Sequence, residues 1–174
     1  MFMQYYVIKK MPIQRVNSNN NEGFYFITST VWNWYYLFDR HNRWEILGDS
    51  VKHCQLNKGL EVYSYVFMLN HMIIKSPDVS GFLRDFKSYT SKKLLENIEE
   101  YEPNVLKLFD GRARGYKIWQ EDNMPKLIEE EDFFLQKMNY IHSNPVKKGY
   151  VLDPSHWKWS SACLYSPIKT DIIA

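Results

Sequence analysis

The sequence predicts an α+β domain built on an antiparallel sheet. Phe24–Val31 and Glu61–Lys75 concentrate β-branched and aromatic residues, as half-buried strands do. Residues 43–58 and 79–100 instead space their apolar side chains by three and four, the helical repeat. The order strand, helix, strand, strand, helix favours an antiparallel sheet.

Residues 1–23 read as an arm or turn, with Asn17, Asn19, Asn20 and Asn21 ahead of Gly23. The first strand follows at once. In the first helix Trp44, Leu47, Val51 and Cys54 mark the buried stripe, and Lys58-Gly59 supplies a C-terminal stop. The second β region has two apolar runs, Val62–Met68 and Met72–Ile74. The Leu69-Asn70-His71 step between them implies a tight connection or a bulge within a hairpin. In the helix over 79–100, Leu83, Phe86, Thr90 and Leu94 form the apolar face, while Arg84, Lys87, Ser91 and Lys92 populate another. Residues 101–125, with Pro103, Gly111, Gly115 and Pro125, read as irregular. A last helix spans 129–143, its start favoured by the acidic run Glu129–Asp132 at the positive end of the helix dipole. Proline disfavours helical geometry in the residue before it, so Pro145 places Asn144 at or just past the helix end. The tail holds Trp157, Trp159, Ser160 and Ser161, followed by a short helical turn.

A chain of 174 residues suits one domain with a real hydrophobic core. Aromatics make up 17 % of it, with 13 tyrosines and 6 tryptophans, enough to furnish a core, a base-stacking surface or both. The net charge of +2 excludes a domain-wide basic field but leaves room for a local basic patch. Cys54 and Cys163 are far apart, without metal-type spacing, which favours a reducing compartment, the cytoplasm. No apolar run approaches the roughly 20 residues of a membrane span. Lys9 and Lys10 are not followed by an apolar stretch, so no signal peptide is expected.

Tyr140 and Asn144 stand four residues apart, hence on one helix face. On spacing alone, a half-buried tyrosine before a helix-ending Asn-Pro turn explains them better than a functional pair does. His71, between two strands, can project an imidazole from the sheet toward a divalent metal. A lone histidine is more often structural. His41, His53, His142 and His156 show no spacing that strengthens a metal site, and His142 points away from the Tyr140 face. Arg112, Arg114, Tyr116, Lys117 and Trp119 interleave cations with rings, as a site for phosphates and a stacked base would. A solvated loop with Trp119 turned inward fits the same residues. Tyr89 and Tyr140 are the helical tyrosines with polar or basic neighbours. A tyrosine attacking phosphorus forms a covalent phosphotyrosine, and its phenol, with a pKa near 10, needs a base or nearby positive charge. A divalent ion would polarise the same phosphate.

Met68-Leu69-Asn70-His71-Met72-Ile73-Ile74 resembles the Met-Pro-Asn-His-hydrophobic-His-Leu signature of IS200-like transposases. The branch it most resembles is the REP-associated tyrosine transposases, within the His-hydrophobic-His nuclease superfamily. Phe82–Lys93 looks like that family's next helix, and Trp119-Gln120 like its Trp-Gln element. Tyr140–Gly149 is similar to its Tyr-Ile-His-x-Asn-Pro-Val-x-x-Gly block, and Trp157–Ala162 to its Trp-x-x-Ser-Ser ending. The likeness implies a ferredoxin-like domain over residues 24–165, an antiparallel sheet with helices packed on one face, and a tail over 166–174. It further implies a homodimer that binds hairpin DNA and cleaves single strands through a phosphotyrosine. Tyr140 then takes the place of the nucleophile, and His71 and Asn144 those of metal ligands. The second motif histidine falls on Ile73, which cannot bind a metal, and Leu69 replaces the motif proline. A divalent ion, magnesium or manganese, would therefore be held weakly, and cleavage impaired. The alternative is a catalytically inactive hairpin or single-strand DNA-binding protein of transposase descent. Arg112, Arg114, Lys117, Trp119, Lys87 and Lys137 are the candidate DNA contacts. Lys137, one helical turn before Tyr140, is also placed to stabilise the phenolate, or else simply faces solvent.

Overall fold

A computed structural model describes residues 23–68, 71–111, 115–121 and 125–171. The elements are β1 (Phe24–Thr28), α1 (Arg43–Lys58), β2 (Glu61–Val66), β3 (His71–Lys75), α2 (Val79–Tyr101), β4 (Lys126–Ile128) and α3 (Glu131–Lys147). The four strands form one sheet in the order β2-β3-β1-β4, and every neighbouring pair is antiparallel. This β-α-β-β-α-β arrangement is the ferredoxin-like fold that the motif resemblance implies. No helix among the described residues is long and apolar enough to cross a membrane.

Side chains alternate across a strand, so the β1–β3 register sorts the sheet into two faces. Phe26 pairs with Ile73, and Thr28 with His71. Phe24, Phe26, Thr28, His71 and Ile73 therefore share one face, and Ile27, Met72 and Ile74 the other. α3 covers the first: Phe134 meets Phe24 edge-on at 5.5 Å, and Tyr140 meets His71 at 5.3 Å. Ile27, Met72 and Ile74 are buried as well. The apolar stripes of α1 (Leu47, Val51, Cys54) and α2 (Phe82, Phe86, Leu94, Ile98) belong to the same core.

Local signals set the helix ends. The Asp78 carboxylate accepts the Gly81 N–H at 2.7 Å and caps α2. α1 stops where Gly59 takes a φ of +64°, a left-handed turn that glycine adopts without strain. Arg43 ties α1 to α2 from within the core. Its guanidinium donates to Asn97 Oδ1 (2.7 Å), the Leu37 carbonyl (3.0 Å) and Glu102 Oε2 (2.6 Å).

Four features depart from the sequence expectation. β1 ends at Thr28, because the chain then leaves the sheet to pair with the 118–120 segment: Gln120 N–H donates to Thr30 O and Trp32 N–H to Ile118 O, both at 2.8 Å. β4 was not expected; its three residues carry no readable alternation, and its place comes from pairing with β1. The expectation that Asn144 lies at or past the helix end is corrected, since α3 runs through Pro145 to Lys147. Pro145 falls in the last turn, where its missing N–H removes a single helical bond. Lys148, Gly149 and Tyr150 then donate to the Asn144, Val146 and Pro145 carbonyls. Finally, the stretch 166–171, set apart from the domain on sequence, packs along β2. Asp171 exchanges bonds with Val62 (2.8 and 2.7 Å), and Ile168 is buried. Leu69, Asn70 and residues 1–22 lie outside the described residues.

Removing Arg43 leaves Glu102, Asn97 and the Leu37 carbonyl without their shared donor. Arg43→Ala is expected to lower the unfolding free energy in urea by about 3–5 kcal/mol, the cost of breaking a buried ion pair on one side. A loss under about 1 kcal/mol would show that the pair is not what joins α1 to α2.

Candidate functional site

The site grows from the end of β3. His71 is its first residue, only 6 % exposed. Thr28, its partner across the sheet, is hydrogen-bonded through Oγ1 to His71 Nδ1 at 2.9 Å. Phe26, on the same face, lies nearly parallel to the imidazole with centroids 5.6 Å apart. Tyr140 closes the other side, its ring edge-on to both His71 (5.3 Å) and Phe26 (6.3 Å). His71 Nε2 is buried and has no hydrogen-bond partner among the described residues. Burial, reinforced by the Lys137 ammonium, pushes the imidazole pKa down to about 4, so the ring is neutral near pH 7.

Tyr140 is 37 % exposed on α3, between its packed edge and solvent. The Lys137 ammonium lies 5.7 Å from the phenol ring centre and the Lys147 ammonium 5.8 Å. Lys137 also lies over the Phe26 and Phe133 rings at 4.9 and 5.0 Å, so it is held inward rather than free in solvent. Asn144 is buried one turn beyond Tyr140, and its amide N–H donates to the Tyr140 carbonyl at 2.9 Å.

No family model and no curated protein sequence matches the chain. Among solved structures the fold is similar to that of a REP-associated tyrosine transposase bound to a REP hairpin. The match has a TM-score of 0.59 at 19 % identity, over 92 % of this chain and 81 % of that one. The likeness is one of fold.

The residues expected to contact DNA are scattered differently from the sequence reading. Trp119 is corrected: its indole is buried, packs on Phe38 and Phe86, and donates to Thr90 Oγ1 at 2.9 Å. It has no face left for a base. The Lys117 ammonium pairs with Glu121 at 2.8 Å and sits 4.3 Å from the Trp32 ring centre. Lys87 donates to the Gln120 carbonyl at 2.9 Å, bracing that loop against α2. Arg112 and Arg114 lie outside the described residues.

A cleft of about 370 Å³ opens beside Tyr140, lined among others by Thr28, Trp34, Tyr36, His71, Tyr140 and Lys148. The sequence reading passed over Trp34, Tyr36, Lys147 and Lys148. The signal was present: Trp32-Asn33-Trp34-Tyr35-Tyr36 puts four aromatics in five residues with neither strand nor helix periodicity. Aromatics that no core pattern claims are candidates for a surface.

The donor set does not fit a resident divalent ion. His71 itself is held as a metal-ligating histidine is, neutral and with Nδ1 fixed by a hydrogen bond. Its companions are few. Ile73, next on the same face, is fully buried hydrocarbon. The Asn144 amide nitrogen is committed to the Tyr140 carbonyl, which leaves Oδ1 as the one atom of that side chain able to serve a metal. Among the described residues, no three His, Cys, Asp or Glu side chains group closely enough to hold a metal.

His142 faces away from this cleft, between Ser64 Oγ (3.2 Å) and Ser161 Oγ (2.8 Å), and burial lowers its pKa to about 4 as well. Both histidines have folded-state pKa values below the unfolded 6.5, so the unfolded chain takes up protons first as the pH falls. Stability should therefore be full above about pH 6.5 and decline toward pH 4. Between pH 7 and 5 the expected loss is about 2 kcal/mol per histidine, and His142→Gln should remove its share. Unfolding curves that superpose between pH 7 and 5 would contradict the neutral assignment.

Proposed function

We propose that the chain is a transposase-like protein that binds single-stranded or hairpin DNA at the face around Tyr140. The observation that carries this reading is the half-exposed phenol with two ammonium groups beside it, standing over the edge of a ferredoxin-like sheet. Cations beside an aromatic ring suit a phosphate next to a base. The fold likeness to a hairpin-bound transposase supports the same choice of ligand. Metal-dependent cleavage is weak in this reading, because an isoleucine stands where a second imidazole is needed. A homodimer working in the cytoplasm is part of the proposal.

A second reading, strand cleavage through Tyr140, is favoured by that residue's exposure. The phenol would lose its proton and form an O–P bond, while the P–O3′ bond breaks and the leaving 3′ oxygen takes up a proton. Lys137 would stabilise the phenolate. Here the same lysine that favours the nucleophile also disfavours a second cation, so the metal-assisted form of this reaction has less support.

Fluorescence anisotropy with a labelled hairpin oligonucleotide tests the binding claim. Affinity should fall steeply with salt, and combining Lys137→Gln with Lys147→Gln should reduce the log–log salt slope by about 2. Affinity that ignores both salt and these lysines would overturn it. Nicking of the same hairpin with magnesium or manganese tests the division between the two readings. Ile73→His should raise nicking about 10-fold or more, since even residues that only support metal ligands are worth 10–100-fold. The gain should vanish on adding Tyr140→Phe. Efficient nicking by the unaltered chain, lost in Tyr140→Phe, would establish cleavage instead.

A further inference from the structure

The cleft beside Tyr140 combines features that neither a core void nor a metal site needs. Its wall carries Trp34, 75 % exposed, and Tyr36, 48 % exposed. Trp34 is turned outward by its backbone: Asn33 and Trp34 take φ values of 53° and 54°, and a bulky side chain in that region is a genuine outlier. Such strain persists where surrounding structure enforces it, and it concentrates at ligand sites. His71 lines the cleft, and its Nε2 is a buried polar atom with no hydrogen-bond partner among the described residues. Buried polar atoms are nearly always bonded, so a group that moves in beside His71 gains a bond that the described residues do not supply. Lys148 lies on the rim, and the ammonium groups of Lys137 and Lys147 flank the neighbouring phenol.

Exposed rings, one hydrogen-bonding atom and cations at the edge match the chemistry of an unstacked nucleotide. A volume of about 370 Å³ is at the small end of ligand pockets, room for one nucleotide unit rather than a duplex. We infer that this cleft receives a single unpaired nucleotide of the bound strand, its base against Trp34, its edge hydrogen-bonded to His71 Nε2, and its phosphate met by Lys148. His71 thereby serves the nucleic acid directly. The neutral imidazole offers a donor or an acceptor there, according to which way the Thr28 hydroxyl hydrogen points. The inference rests on the DNA-binding reading and adds a place and a unit of recognition to it.

A binding cycle with the full chain tests it. The probe is a labelled hairpin with a short single-stranded 5′ extension, each nucleotide of which is replaced in turn by an abasic one. Trp34→Ala should weaken binding of the intact hairpin about 5- to 100-fold, the range of one base–aromatic stack, while Trp34→Phe retains most of the affinity. At one position the abasic replacement should cost about as much, and there Trp34→Ala should add less than about 2-fold. Trp34 is exposed, so this arm does not depend on a core change; His71→Phe, which keeps a ring against Phe26 but has no Nε2, should show the same position dependence. Salt-sensitive hairpin binding that Trp34→Ala leaves unchanged, or weakens equally at every abasic position, would overturn the nucleotide site and leave the DNA-binding reading intact. Absence of any hairpin binding would overturn both.

Discussion

The pairing of Thr28 with His71 across β1 and β3 is the contact on which the site depends. It fixes the backbone register, and the Thr28 hydroxyl also holds the imidazole through Nδ1. With that nitrogen bonded, the ring is held between Phe26 and Tyr140, and His71 lines the cleft. A buried polar atom without a partner costs about 1–3 kcal/mol. A group that bonds Nε2 would remove that cost. The same register sets Ile73 opposite Phe26, where its side chain is fully buried hydrocarbon.

Electrostatics follow from this geometry. Lys137 lowers the affinity of His71 for a proton, and a group that repels a proton repels a divalent cation at the same place. Two ammonium groups within 6 Å of the Tyr140 ring thus select for an anion. A phosphate satisfies them without help from a metal. The charge at the junction of the sheet and the tyrosine helix therefore suits an anion better than a metal ion.

Much of the fold was readable because it rests on short-range signals. Trp44, Leu47, Val51 and Cys54, with Gly59 behind them, mark a helix over 43–58 that the structure reproduces to the residue. β2 ends at Val66 and β3 begins at His71, so two strands flank the step where one was expected. Spacing alone left Tyr140 and His71 ambiguous, and the motif resemblance suggested that they meet. They do, through packing of α3 on β3 that no local pattern encodes. Tertiary partners decided the remainder. β4 exists because β1 offers it an edge, and Trp119 turns inward because Thr90 offers its indole N–H an acceptor. Asn144 stays inside α3 because its amide and the next turn compensate for Pro145. The cleft is assembled from the 28–38 loop, β3 and α3, three segments whose approach appears only in space.

The central claim, that His71 Nε2 meets a nucleotide and not a metal, is tested most directly by nitrogen-15 NMR of the histidine side chains. Titration of labelled protein with the hairpin in the presence of a chelator should shift the His71 Nε2 resonance and leave that of His142 in place. Manganese added without DNA should leave His71 unbroadened. Strong broadening of His71 by manganese alone, or a hairpin-induced shift that appears only when the metal is supplied, would contradict the account.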